Sequence, residues 1–84
     1  MTFEYVIKDS LGIHARPAGL LVAEAKKYQS AVTLEAKGKK ADAKRIFAVM
    51  SLGVKCGDTV VVSCEGADTE AACAGMKAVI ESNL

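Results

Sequence analysis

The chain has 84 residues, 11 of them basic against 10 acidic, for a formal net charge of +1. That length predicts a single domain over residues 1–84, and the balanced charge excludes the one-sided basic surface that nucleic acid or an anionic membrane would require. Apolar residues make up 51% and aromatics only 5%, so the core must be built mainly from small aliphatic side chains.

Residues 2–8 (Thr-Phe-Glu-Tyr-Val-Ile-Lys) are β-branched or aromatic with partial alternation and predict a strand. Asp9-Ser10-Leu11-Gly12 reads as a loop, and Pro17 suits the first turn of a helix, where its missing N–H costs nothing. Leu21, Val22, Ala25 and Tyr28 then recur at helical spacing, with Glu24, Lys26 and Lys27 on the other side. The lysine pair would lie near the negative end of the helix dipole.

Residues 31–37 set Val32, Leu34 and Ala36 against Thr33, Glu35 and Lys37, the alternation of a half-buried strand. Gly38-Lys39-Lys40 predicts a turn, and residues 40–43 a short return strand. Residues 45–52 suit a short helix stopped by Gly53. Gly57-Asp58 turns into the clearest strand, residues 59–65. Asp68 then stands as an N-cap for a last helix with the apolar stripe Ala71, Ala72, Gly75, Met76, Val79 and Ile80. Gly75 inside that helix costs about 1 kcal/mol relative to alanine and points to close packing.

The order is strand, helix, two strands, short helix, strand, helix. It predicts an α+β fold in which helices cover a single face of one sheet, with at least one antiparallel pair. The chain shows no secretory signal, and its apolar runs fall far short of the ~20 residues of a membrane span. Cys56, Cys64 and Cys73 are odd in number and lack a CxxC pair, which fits free thiols in a reducing cytoplasm. Their spacing also argues against a zinc site shared with His14.

His14 is the only histidine, two residues before Arg16 and three before the only proline. If the helix starts near Ala15 or Arg16, the first amides have no intrahelical partner and form an anion site with the positive end of the dipole. Arg16 adds a permanent charge with a donor fork suited to phosphate, and imidazole is a nucleophile. On the residues alone two readings stand: a phosphoryl-accepting centre, or a solvated histidine beside a loop.

Gly12-Ile13-His14-Ala15-Arg16-Pro17-Ala18 resembles the phosphorylation-site signature of the HPr family, the histidine-containing phosphocarriers of the bacterial sugar phosphotransferase system. Ile46-Phe47-Ala48-Val49-Met50-Ser51-Leu52-Gly53 resembles the family's short second helix and following turn, and Gly66-Ala67-Asp68 the start of its last helix. The resemblance spans the chain. It implies an open-faced β-sandwich of four antiparallel strands with three helices on one face. It also implies a relay without cofactor or metal: enzyme I, charged by phosphoenolpyruvate, donates to Nδ1 of His14, and permease A domains accept. Arg16 would assist, and the backbone amides of Ala15 and Arg16 would hold the phosphate. The protein would act as a cytoplasmic monomer, a phosphorylated intermediate and not an enzyme. Two alternatives keep the fold, a nitrogen-related phosphotransferase carrier and an HPr-like regulatory binding protein.

Many family members carry a regulatory serine at the start of the second helix. Arg45 stands there, so serine-kinase control is expected to be absent, with Ser51 matching a different family position. Arg45 is either a docking charge or a solvated residue at the helix start. Ile46, Phe47 and Met50, with Leu20 or Gly19, would form an apolar partner-binding patch beside His14. The competing reading packs Ile46, Val49 and Met50 onto the sheet and leaves only Phe47 outward. Lys37, Lys39 and Lys40 read as a solvated edge.

Overall fold

A computed structural model describes residues 1–84. The elements in chain order are β1 (Thr2–Val6), α1 (Ala15–Ala25), β2 (Ala31–Ala36), β3 (Lys39–Asp42), α2 (Ile46–Ser51), β4 (Thr59–Glu65) and α3 (Thr69–Asn83). The strands form one sheet in the order β1-β4-β2-β3, and every neighbouring pair is antiparallel.

The alternation in the sequence decides which face of the sheet is covered. Val32, Leu34 and Ala36 of β2 are buried, as are Val60, Val62 and Cys64 of β4. The register sets Val32 opposite Cys64 and Leu34 opposite Val62, so these side chains share one face. Thr33, Ser63, Glu35 and Val61 pair on the other face, which is open to solvent. A one-residue slip would exchange the two sets, and burial of one face therefore holds the register. Onto the apolar face pack Leu21, Val22 and Ala25 of α1, Val49 of α2, and Ala72, Cys73, Met76 and Ile80 of α3. The fold is the four-stranded antiparallel sheet with three helices on one face that the family resemblance implied.

The boundaries differ from the sequence reading in instructive places. β1 ends at Val6, because the next amides change partner: Ile7 N–H donates to the Asp58 carbonyl at 2.9 Å and Lys8 N–H to the Leu84 carbonyl at 2.7 Å. Lys37 is not in β2. It and Gly38 form a two-residue hairpin turn with φ of 55° and 76°, and β3 starts at Lys39. Positive φ at both turn residues matches the right-handed twist of the flanking strands. Gly53, with φ 65°, ends α2 as expected.

Asp68 takes the N-cap position of α3, yet its carboxylate makes no bond to that helix. It accepts instead from the Gln29 N–H at 2.9 Å, the Ser30 N–H at 2.8 Å and the Ser30 hydroxyl. Ser30 is fully buried, and a side chain on Gly66 would come within 2.7 Å of its Cα. The start of α3 is thereby tied to the α1–β2 loop. Gly75 also sits at a close approach, since an added Cβ would overlap the Tyr28 hydroxyl and lie 2.7 Å from Glu24 Oε2.

The Ser30 hydroxyl first, then the Gln29 amide, hold the Asp68 carboxyl below its ordinary value of 3.8. A lowered folded value means stability that is present above the unfolded value and lost as pH falls through the folded one. Asp68→Asn is therefore expected to lower the melting temperature at pH 7. The gap to wild type should close as pH drops below 3.8. Thermal unfolding across that range checks it, and a gap independent of pH would contradict it.

Candidate functional site

The site begins with the backbone of the β1–α1 loop. Gly12 is buried with φ 70°, and a Cβ there would overlap the Val54 carbonyl and lie 2.6 Å from Lys55 Cα. The next amide, Ile13 N–H, donates to that same carbonyl at 3.1 Å. The chain is thus pressed against the segment after α2 before it reaches His14.

His14 is the N-cap of α1, in extended conformation (φ −102°, ψ −173°), and its side chain caps nothing. Its carbonyl accepts the Ala18 N–H at 2.9 Å, closing the first helical turn. The amides of Ala15 and Arg16 donate to no protein acceptor, and Pro17 has no N–H. Two free donors at the positive end of an 11-residue helix make an anion site directly beside the imidazole. The Arg16 side chain is exposed and pairs with no carboxylate, so its guanidinium is free for the same anion.

The imidazole is 38% exposed, and its Nε2 lies 3.9 Å from Asp9 Oδ1. A cleft of about 300 Å³ opens over it, lined by Asp9, His14, Arg16, Pro17 and Leu20, and by Ser82 and Asn83 from the end of α3. A larger groove of about 440 Å³ over the β2–β3 edge is lined by Lys40, Asp42 and Lys44 and lies apart from His14.

The residues expected at the partner surface divide by exposure. Phe47 is 84% exposed, Leu20 and Met50 39% each, and Val49 is fully buried. Ile46 is half-buried and packs against the core. Arg45 is exposed at the N-cap of α2, with Nε 3.8 Å from Asp42 Oδ2. α1 and α2 are in contact, and of these residues only Leu20 lines the cleft of His14. The Ser51 hydroxyl is turned back onto the Ala48 carbonyl at 2.8 Å.

The cysteines stand apart from this chemistry. Cys64 and Cys73 are core residues, and burial first, then the neighbouring Cys73 thiol, pushes the Cys64 thiol up to about 11. Cys56 is exposed, with Sγ 3.7 Å from the Lys8 carbonyl.

Sequence reasoning placed His14, Ala15 and Arg16 together but missed Asp9, Ser82 and Asn83. Asp9 did carry a signal: an aspartate two residues before Leu11 can close an Asx turn, and its Oδ1 accepts the Leu11 N–H at 2.8 Å. The α3 residues carried none, because only tertiary packing brings them there.

Comparison with known proteins follows the same geometry. A family model described as the PTS HPr component phosphorylation site matches residues 1–82. The phosphocarrier protein HPr of Mycoplasma genitalium is 45% identical over 82 residues, covering 96% of this chain and 93% of that protein. The HPr of Mycoplasma pneumoniae is 41% identical, covering 95% and 92%. Among solved structures, a Mycoplasma histidine-containing phosphocarrier superposes with a TM-score of 0.95 at 33% identity, covering 98% and 93%. An HPr structure from Thermoanaerobacter tengcongensis gives 0.92 at 43% identity, covering 98% and 92%.

Gly12→Ala is expected to destabilise the protein by about 2–3 kcal/mol, combining left-handed strain with overlap against backbone that cannot swing aside. Denaturant unfolding measures the loss, and amide shifts of Ile13 to Arg16 should move with it. A variant as stable as wild type would show that the loop is not pressed onto Val54.

Proposed function

The chain belongs to the HPr family, the phosphocarriers of the phosphotransferase system, and from that premise we propose that His14 is its phosphoryl acceptor. A phosphocarrier passes the group on and turns over no small-molecule substrate of its own. The reading is carried by one observation: the only histidine of the chain occupies the N-cap position of a helix whose first two amides, those of Ala15 and Arg16, are free.

Nδ1 is bonded to Cγ and is therefore the ring nitrogen nearer the backbone. Its lone pair forms the bond to phosphorus. The bond to the donor breaks, with its electron pair returning to the donor. The amides of Ala15 and Arg16 and the Arg16 guanidinium hold the phosphoryl oxygens, and the dipole of α1 adds to their charge. The onward step reverses these roles, and Nδ1 recovers its pair when the next acceptor attacks. Nothing buries the group, which suits a carrier that must give it up again.

Enzyme I, charged by phosphoenolpyruvate, is the donor in this reading, and permease A domains are the acceptors. Both would meet the rim of Leu20, Ile46, Phe47 and Met50. The working unit in this reading is a cytoplasmic monomer, with 1–84 acting as one domain. Arg45 replaces the regulatory serine and supplies docking charge. Control by a serine kinase at that position is absent.

Two measurements test this. Incubation with enzyme I and phosphoenolpyruvate should give an acid-labile, base-stable phosphate on wild type and none on His14→Ala, and an unlabelled wild type overturns the carrier role. At low salt, Arg45→Glu should slow transfer by about fivefold or more, with the difference shrinking as salt rises. Equal rates would dispose of the docking charge.

A further inference from the structure

Asp9 enters neither the carrier reading nor the family signature quoted above, yet its carboxylate is the only one lining the cleft of His14. Its place is fixed from three directions. The Asp9 N–H donates to the Leu84 carbonyl at 2.9 Å, its carbonyl accepts the Gly12 N–H at 3.0 Å, and its Oδ1 accepts the Leu11 N–H. Leu84 is itself buried, and it also accepts the Lys8 N–H. Oδ1, held in this way, lies 3.9 Å from Nε2 of His14, an electrostatic contact too long for a direct hydrogen bond.

We infer that Asp9 is a positioning residue, which sets the ring orientation and tautomer of His14 by drawing the imidazole proton to Nε2. The inference rests on His14 being the phosphoryl acceptor. A neutral imidazole carries one proton, and the nitrogen without it holds the nucleophilic lone pair. A carboxylate facing Nε2 favours the proton on that side. The free amides of the helix start and the Arg16 guanidinium disfavour a proton on the other. Arg16 is the remaining charged residue of the cleft, and α3 contributes only the neutral Ser82 and Asn83. The two influences therefore act in the same direction and leave Nδ1 unprotonated.

The step balances without a further base. The Nδ1 pair forms the bond to phosphorus while the donor takes back its own pair, and the ring proton stays on Nε2. The ring gains positive charge as the bond forms, and Asp9 faces the nitrogen that carries the proton. When phosphate leaves, the pair returns to Nδ1 and the neutral tautomer is restored. Asp9 thus serves both directions of transfer without touching the phosphoryl group.

The test compares Asp9→Asn and Asp9→Ser with wild type. Both substitutes keep an oxygen able to accept the Leu11 N–H and so hold the turn, while removing the charge. Long-range nitrogen–proton correlation spectra report the tautomer ratio of neutral His14 directly. In both variants the excess of the Nε2–H form should fall by about two- to fivefold, the scale of a partly exposed ion pair. Transfer from phosphorylated enzyme I should slow by a similar factor, with circular dichroism and melting temperature close to wild type. A wild-type tautomer ratio in both variants overturns the inference. So does a shifted ratio with an unchanged transfer rate. If wild type takes no label at all, the carrier reading is what fails, and the tautomer ratio still decides whether Asp9 orients the ring.

Discussion

With φ 70°, the backbone of Gly12 lies flush against Val54 and Lys55, and Ile13 N–H bonds the carbonyl it rests on. That contact decides where α1 begins, because the chain has no freedom left to start the helix earlier or later. The N-cap position falls on His14 as a result, and the amides left over are those of Ala15 and Arg16. Pro17 at the third position removes the next donor that would otherwise compete for an anion. An imidazole that moved one residue along the helix would point away from these amides, since successive helical positions turn by a third of a circle or so.

The rest of the fold keeps that end of the molecule rigid. Small aliphatic side chains of the sheet and helices interdigitate in one core cluster, with Val62, Leu34 and Met76 fully buried. Asp68 joins the start of α3 to Ser30, and the end of the same helix delivers Leu84 to the amides of Lys8 and Asp9. The helix thereby connects the two ends of the structure: anchored at its start by a buried serine, it braces the histidine loop at its finish.

Around His14 the structure is open. His14 is partly exposed, Arg16 is exposed, and Phe47 stands out from α2 with little covering it. In the proposed role, a phosphoryl group received from one protein and handed to another would benefit from a shallow cleft. Fixed dipoles and a free guanidinium supply the stabilisation that burial would otherwise provide.

Much of this was legible in the chain itself. The period-two alternation of residues 31–37 identified one central strand and its buried face, because one-sided burial leaves its mark on every second residue, and residues 59–65 read as the other. Gly53 marked the end of α2 through its left-handed backbone. The segment from Gly12 to Ala18 placed a nucleophile, a cation and free amides together, since all three lie within one helical turn. What the sequence withheld were relations between residues distant in the chain. Asp68 looked like a local cap and proved to be a bond across to Ser30, and Leu84 and Asp9 meet only because α3 packs where it does. Local patterns record the neighbours that a residue has along the chain, and they determined the elements and the place of His14 at a helix start. The carboxylate beside that histidine and the cleft were decided by packing, which brings together groups that no short stretch of sequence contains.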